Sequence, residues 1–208
     1  MKVSTSILSC NNRLEAVNKL NNTSNDYLHI DVMDGKFVSN KQFTISEINN
    51  LSNISNTKAD IHLMVNNPKK YIKKINSSNV EYITFHLEVK KNIDKIINLV
   101  KKKGHKVGLS IKPNTDIELL KPYIDKIDMV LVMSVEPGQG GQKFIDSTIE
   151  RIKAINKMIK DKDIIIEVDG GINDSNIEKL KEENVDIVVV GSFITNNENY
   201  EEQIKKIK

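Results

Sequence analysis

The sequence predicts a closed parallel barrel of eight strand–helix units, the (β/α)8 architecture, and three observations carry that prediction. Eight short apolar runs alternate with longer segments whose apolar residues fall at helical spacing. Several runs are apolar without interruption, such as Ile164-Ile165-Ile166 and Ile187-Val188-Val189-Val190, as strands buried on both faces are. No Gly-x-Gly-x-x-Gly follows the first run, which argues against an open doubly wound sheet. The 208 residues lie near the lower end for this fold, so the loops must be short. No linker, composition break or repeat divides the chain, and residues 1–208 read as one domain.

Taken in order, the first strand is Val3–Leu8 and the second Asp26–Val32, where Tyr27, Leu28, Ile30 and Val32 are apolar and Asp34-Gly35 ends the run. The unit after it is the weakest: Phe37 to Ser55 holds only a brief helical pattern through Ile45, Ile48 and Leu51. Strands Ala59–Met64 and Tyr82–Leu87 follow. Ile93, Ile96, Ile97 and Val100 make a helical stripe that stops at Gly104 after a Lys-rich turn. Then come strands Val107–Ile111 and Met129–Val135, and a stripe through Ile149, Ile152, Ile155 and Ile159. After strand Ile164–Val168, Asp174-Ser175 reads as the N-cap of a helix carrying Ile177 and Leu180. Strand Asp186–Val190 and a helix through Tyr200, Ile204 and Ile207 complete the eight units. Asn-rich pairs such as Asn21-Asn22 and Asn66-Asn67 fall between periodic segments, where turns belong.

Composition excludes several functions. The net charge is only +3, the lysines are scattered, aromatics are 5% and Trp is absent, so no nucleic-acid footprint is expected. Cys10 is alone, which rules out an internal disulfide and a cysteine metal cage. Met1 to Cys10 lacks the basic start and apolar run of a signal peptide, and no stretch approaches membrane-spanning length. The expectation is a cytoplasmic protein with no membrane partner.

In such a barrel the chemistry collects at the carboxyl ends of the strands. Side chains alternate along a strand, so His29, Asp31 and Met33 share a face, and an imidazole and a carboxylate stand side by side. The third strand repeats the theme with His62 and Met64, and the seventh ends in Asp169. Three of the four histidines fall at strand ends, with His105 the exception. His29, Asp31, His62 and Asp169 converging on one rim predict a site for one divalent first-row ion: Zn, Fe, Mn or Co. His86 is expected behind that site or against the substrate. Gly170-Gly171 and Gly191-Ser192 lie in the loops that often bind phosphate in such barrels, each expected to lead into a helix whose start favours anions.

The chain resembles the ribulose-phosphate 3-epimerase family. The resemblance is carried by Ser6-Ile7-Leu8-Ser9, His29-Ile30-Asp31-Val32-Met33-Asp34-Gly35, Phe37-Val38-x-Asn40 and Asp60-Ile61-His62-Leu63-Met64-Val65. It continues through Thr84-Phe85-His86-x-Glu88, Met133-Ser134-Val135-x-Pro137-Gly138-x-Gly140-Gly141-Gln142, Val168-Asp169-Gly170-Gly171 and Gly191-Ser192. These motifs run in order from the first strand to the last.

The resemblance implies a barrel that epimerises C3, interconverting D-ribulose 5-phosphate and D-xylulose 5-phosphate through an enediolate. It implies a divalent metal held by His29, Asp31, His62 and Asp169, with Asp31 and Asp169 as the acid/base pair on opposite sides of the barrel mouth. Ser6 and His62 would touch the substrate. Gly138, Gln139, Gly140, Gly141, Asp169, Gly170, Gly171, Gly191 and Ser192 would bind it, largely at the phosphate end. Met33, Met64 and Met133 would lie beside the metal, and a homo-oligomer is the usual expectation for such an enzyme. The chain departs from the family pattern at Cys10-Asn11, where Ala-Asp is common, at Ser39 for Pro, at Gln139 for an aromatic and at Lys112 for Asn. None of these is a proposed ligand, so they bear on affinity and loop closure. Two rival readings use the same site: an epimerase of a ketohexose 6-phosphate, and a non-catalytic phosphosugar-binding barrel. The Asp-x-Lys-x-x-Asp strand end of the related decarboxylases and hexulose-phosphate synthases is absent from Asp60–Val65.

Overall fold

Eight parallel strands close into a barrel in a computed structural model that describes residues 1–89 and 91–208. The strands are β1 (Lys2–Ser6), β2 (Tyr27–Asp34), β4 (Lys58–Met64), β5 (Val80–His86), β6 (Lys106–Ile111), β7 (Met129–Met133), β8 (Ile165–Asp169) and β9 (Ile187–Val190). Pairing of β1 with both β9 and β2 closes the ring. The unpredicted β3 (Lys41–Gln42) runs antiparallel to the end of β2, opposite Met33 and Asp34. Two residues are too short to show a period in sequence.

The helices are α1 (Arg13–Leu20), α2 (Ile45–Ile54), α3 (Pro68–Ile72), α4 (Ile93–Lys102), α5 (Thr148–Ile159), α6 (Ile177–Glu182), α7 (Ser192–Thr195) and α8 (Tyr200–Ile207). Asparagines start several of them: the side chains of Asn12, Asn92 and Asn199 accept from the backbone N–H of Glu15, Lys95 and Glu202. The segment with the faintest pattern, α2, is instead fixed by a capping box between Thr44 and Glu47. Two expectations need correction. After β6 the chain makes two 3-10 turns, Ile117–Leu120 and Ile124–Lys126, in place of an α-helix. Asp174 and Ser175 do not cap α6; Asn176 holds that position, and its side chain donates to Gly171 O at 2.9 Å.

Alternation splits the core in two. Outward strand residues such as Ile30, Ile61, Phe85 and Val132 pack under the helices. Inward, Tyr27, Tyr82, Met129, Ile165 and Ile187 plug the amino-terminal floor of the barrel. Above that floor the interior turns polar, with Ser4, His29, Asp60, Thr84, Ser110 and Glu167 all buried. Polar groups at that depth need partners, and they point to the end of the barrel where the chemistry lies.

The floor is held by a repeated clamp. Asp26, Asp128 and Asp186 each precede a strand, and their carboxylates accept from the backbone N–H of Val3, Val107 and Ile166 at 2.9, 2.7 and 2.8 Å. Their own N–H groups donate back to the carbonyls of the same residues. Each clamp thus fixes the register between two strands adjacent in the barrel. Asp128→Ala leaves the Val107 N–H unpaired and is expected to cost about 1–3 kcal/mol. Urea unfolding measures this; an unchanged midpoint and slope would mean that water replaces the carboxylate at no cost.

Candidate metal and catalytic site

The strand β2 is buried from Tyr27 to Met33 and turns His29, Asp31 and Met33 into the barrel. Its register with β4 sets Asp31 beside His62 and Met33 beside Met64. Asp169 ends β8, in register with Met133 of β7. These three strands bring four side chains together. His29 Nε2 and His62 Nδ1 each lie 3.3 Å from Asp31 Oδ1, and His62 Nδ1 lies 3.6 Å from Asp169 Oδ2. One ligand atom from each of His29, Asp31, His62 and Asp169 falls within 4.8 Å of all the others.

The electrostatics are those of a cation site. Burial alone would raise the Asp31 carboxyl, but His29 and then His62 hold it well below the usual carboxylate range. Burial likewise works to lower both histidines, and the neighbouring carboxylates outweigh it and raise them. His29 Nε2 is buried and has no hydrogen-bond partner among the described residues. An unpartnered buried nitrogen facing a carboxylate fits a divalent ion, and two imidazoles with two carboxylates suit Zn, Fe, Mn or Co.

Other buried groups stand around these four. Ser6 Oγ donates to Asp31 Oδ2 at 2.7 Å. Asp60 Oδ2 lies 2.7 Å from His29 Nδ1 and also accepts from Ser4 Oγ at 3.1 Å. Behind Asp60 lies Glu167, whose burial and then the Asp60 charge push it far above the usual range. A neutral Glu167 removes the repulsion between two carboxyl groups in the barrel interior. His86, at the end of β5, stacks on His62 with ring centroids 4.9 Å apart, and their Nε2 atoms are 2.9 Å apart. His86 Nδ1 lies 3.1 Å from Glu88 Oε2. Burial first, and then the His62 charge, bring His86 down to about 4 against the opposing pull of Glu88.

A cavity of about 330 Å³ opens over the cluster at the carboxyl ends of the strands. Ser6, Gly138, Gln139, Gly140, Gly141, Asp169, Gly170, Gly171, Gly191 and Ser192 line it, as do Asp31, Met33, Met64 and Met133. His62 and His86 stand behind this wall. The two aspartates stand on different sides of the mouth, three strand steps apart in the ring of eight. Only β1 and β9 separate β2 from β8 on one side, against four strands on the other. The loops differ from expectation. Gly191 opens directly into α7, but five residues separate Gly171 from α6, so Gly170-Gly171 do not sit at a helix start. Their glycines serve close packing instead. Gly171 has φ +66°, and a Cβ there would meet Gln142 O at 2.7 Å and the Lys143 carbonyl carbon at 2.9 Å.

Two loops meet over the cavity. Asn40 Nδ2 donates to Gly138 O at 2.7 Å, and Val38 fills the space beside Gly138. Gln142 braces the second loop by donating to Glu136 O and Gln139 O at 2.7 and 2.8 Å. The ring centroids of Phe37, in the first loop, and His86 lie 4.7 Å apart, and Lys112 Nζ sits 4.4 Å from the Phe37 centroid. Residue-by-residue reading missed Asp60, Glu167, Glu88 and Asn40. For Asp60 and Glu167 a signal was present: each lies two positions before a proposed ligand, His62 or Asp169, and so on the same inward face.

Known proteins agree with this architecture. The profile of the ribulose-phosphate 3 epimerase family matches residues 2–195. A ribulose-phosphate 3-epimerase of Buchnera aphidicola is 39% identical over 99% of this chain and 93% of its own. That of Helicobacter pylori is 36% identical over 93% and 90%, and that of Bacillus subtilis 32% identical over 100% and 98%. Among solved structures, KGPDC from Streptococcus mutans superposes with a TM-score of 0.75 at 10% identity, covering 99% of this chain and 94% of that one. A 3-hexulose-6-phosphate synthase from Salmonella typhimurium gives 0.71 at 19%, covering 100% and 96%. At such low identity these two speak for the barrel alone. With the sequence relatives spanning nearly the whole chain, and the family profile with them, this chain belongs to the ribulose-phosphate 3-epimerase family.

Proposed function

We propose that this chain interconverts D-ribulose 5-phosphate and D-xylulose 5-phosphate by proton transfer at C3, with Asp31 and Asp169 as the two acid/base groups. The observation that carries the reading is that both carboxylates border one small cavity, on strands that approach it from different sides. The proton leaves C3 from one face to one aspartate, and the electron pair moves onto the C2 oxygen to give an enediolate. The other aspartate returns a proton to the opposite face, and the configuration inverts. Asp31 meets the reacting end, Ser6 Oγ donates to its carboxylate at 2.7 Å, and His62 stands behind it. His29, Asp31, His62 and Asp169 would hold one divalent ion, with Zn, Fe, Mn and Co as candidates. Such an ion supplies positive charge beside the oxygen that becomes negative. The methionines Met33, Met64 and Met133 keep that part of the wall apolar.

Residues 1–208 act as one catalytic unit in this reading, in the cytoplasm and as a homo-oligomer, on a small phosphosugar. No helix among the described residues is long and apolar enough to cross a membrane. The test is a coupled assay on ribulose 5-phosphate beside ketohexose 6-phosphates, with metal analysis of the same sample. Turnover of the pentulose phosphate at least about tenfold above the hexulose phosphates supports the reading, one unit of 1.4 kcal/mol in transition-state binding. A preference for a hexulose phosphate transfers the same chemistry to the larger sugar.

The phosphate end gives a separate prediction. Gly191 packs 3.6 Å from Ser6 at the position of an added Cβ, so Gly191→Val drives a branched side chain into the cavity. The variant should raise KM well above the wild type and lower kcat less. Free ribulose should be a poorer substrate by about 10²-fold or more, since remote binding energy positions the reacting carbon. Comparable efficiency on the free sugar would mean that the glycine loops bind something other than phosphate.

A further inference from the structure

We propose that Glu88 and His86 are positioning residues that set the tautomer of His62, so that Nδ1 is the nitrogen offered to a divalent cation. This rests on the metal reading given above. A carboxylate only accepts, so His86 Nδ1, 3.1 Å from Glu88 Oε2, carries a hydrogen. A neutral imidazole then has a bare Nε2. That atom lies 2.9 Å from His62 Nε2, and two facing imidazole nitrogens bond only when one donates. His62 is the donor and carries its hydrogen on Nε2. In the neutral ring that binds a cation the bare nitrogen is therefore Nδ1, the one that faces Asp31 Oδ1 and Asp169 Oδ2 at 3.3 and 3.6 Å.

His29 is set in the opposite sense. Its Nδ1 donates to Asp60 and leaves Nε2 bare. One histidine is thus directed by a carboxylate in direct contact, and the other by a carboxylate acting through a second ring. The relay is kept from water: His86 and His62 are fully buried and Phe37 covers the His86 ring.

Glu88 itself is held in one orientation. Its Oε1 accepts from Lys112 N–H at 2.8 Å and from the Thr115 hydroxyl, leaving Oε2 for His86. That arrangement makes Glu88→Gln a tautomer switch. The Lys112 N–H cannot reverse, so the amide oxygen stays with it and the NH₂ turns to His86 Nδ1. His86 must then accept at Nδ1 and donate from Nε2, which moves the His62 hydrogen onto Nδ1. Glu88→Ala, by contrast, removes the instruction without reversing it. The near-isosteric change should therefore harm the site more than the truncation.

The experiment titrates Zn²⁺ into the full-length wild type, Glu88→Gln and Glu88→Ala against a competing chelator, with circular dichroism to show that each is folded. Affinity should fall about 100-fold in Glu88→Gln and about 10-fold in Glu88→Ala. Long-range ¹H–¹⁵N spectra of the zinc-loaded wild type should place the His62 hydrogen on Nε2. Glu88→Gln binding zinc as well as Glu88→Ala or better overturns the relay, because a merely structural role predicts that order. So does a His62 hydrogen on Nδ1 in the loaded wild type. A wild type that binds no zinc, or a His62→Ala variant that binds it undiminished, overturns the metal reading and this proposal with it.

Discussion

Asp169→Asn is expected to lower the epimerisation rate by about 10²–10⁴-fold, the range of one acid/base group, and Asp31→Asn by a similar factor. Either change leaves one face of C3 without its acid or base. Proton exchange separates this from general damage. In heavy water the wild type should place deuterium at C3 of the product and little in unreacted substrate early in the reaction. Each variant should still exchange the C3 proton of one epimer only, and the two variants should favour opposite epimers. Asn is a weaker ligand than a carboxylate, so metal content is measured in the same samples. The expectation rests on the two carboxylates bordering one cavity from β2 and β8. A metal-loaded Asp169→Asn enzyme epimerising near the wild-type rate would falsify the two-aspartate scheme.

Metal removal is the second large effect. Treatment with a strong chelator should reduce activity by about 10³-fold, as expected for the loss of several kcal/mol of charge stabilisation. Zn, Fe, Mn or Co should restore it. His62→Ala removes the nitrogen that meets both Asp31 and Asp169, so metal content and rate should fall together. The prediction is motivated by His29 Nε2, buried without a partner among the described residues. A rigorously metal-free sample with full activity would show that the cluster works by hydrogen bonding alone.

Much of this site was legible because strands have a period of two. His29 and Asp31 had to share a face of their strand, and His62 and Met64 a face of theirs, whatever the rest of the chain did. The barrel followed from the uninterrupted apolar runs Ile164-Ile165-Ile166 and Ile187-Val188-Val189-Val190, the pattern of strands covered on both faces. What sequence could not give was contact across distance. Asn40 meets Gly138 over 98 positions of chain, and no local pattern marks either residue for the other. The Glu88 carboxylate had no visible role until β5 and β6 placed Lys112 N–H and His86 on its two oxygens. The helix expected after β6 fails for a different reason: Pro122 stands between Leu120 and Ile124, where the chain makes two 3-10 turns.

The two loops over the cavity share one hydrogen bond and one close contact, Asn40 with Gly138 and Val38 with Gly138. Lifting the Gly138 loop therefore pulls on the short segment that carries Phe37, and Phe37 is the cover of His86. The contact over the cavity and the cover of the histidine pair are thus parts of one continuous run of contacts, from Gly138 through Val38 and Asn40 to Phe37 and His86.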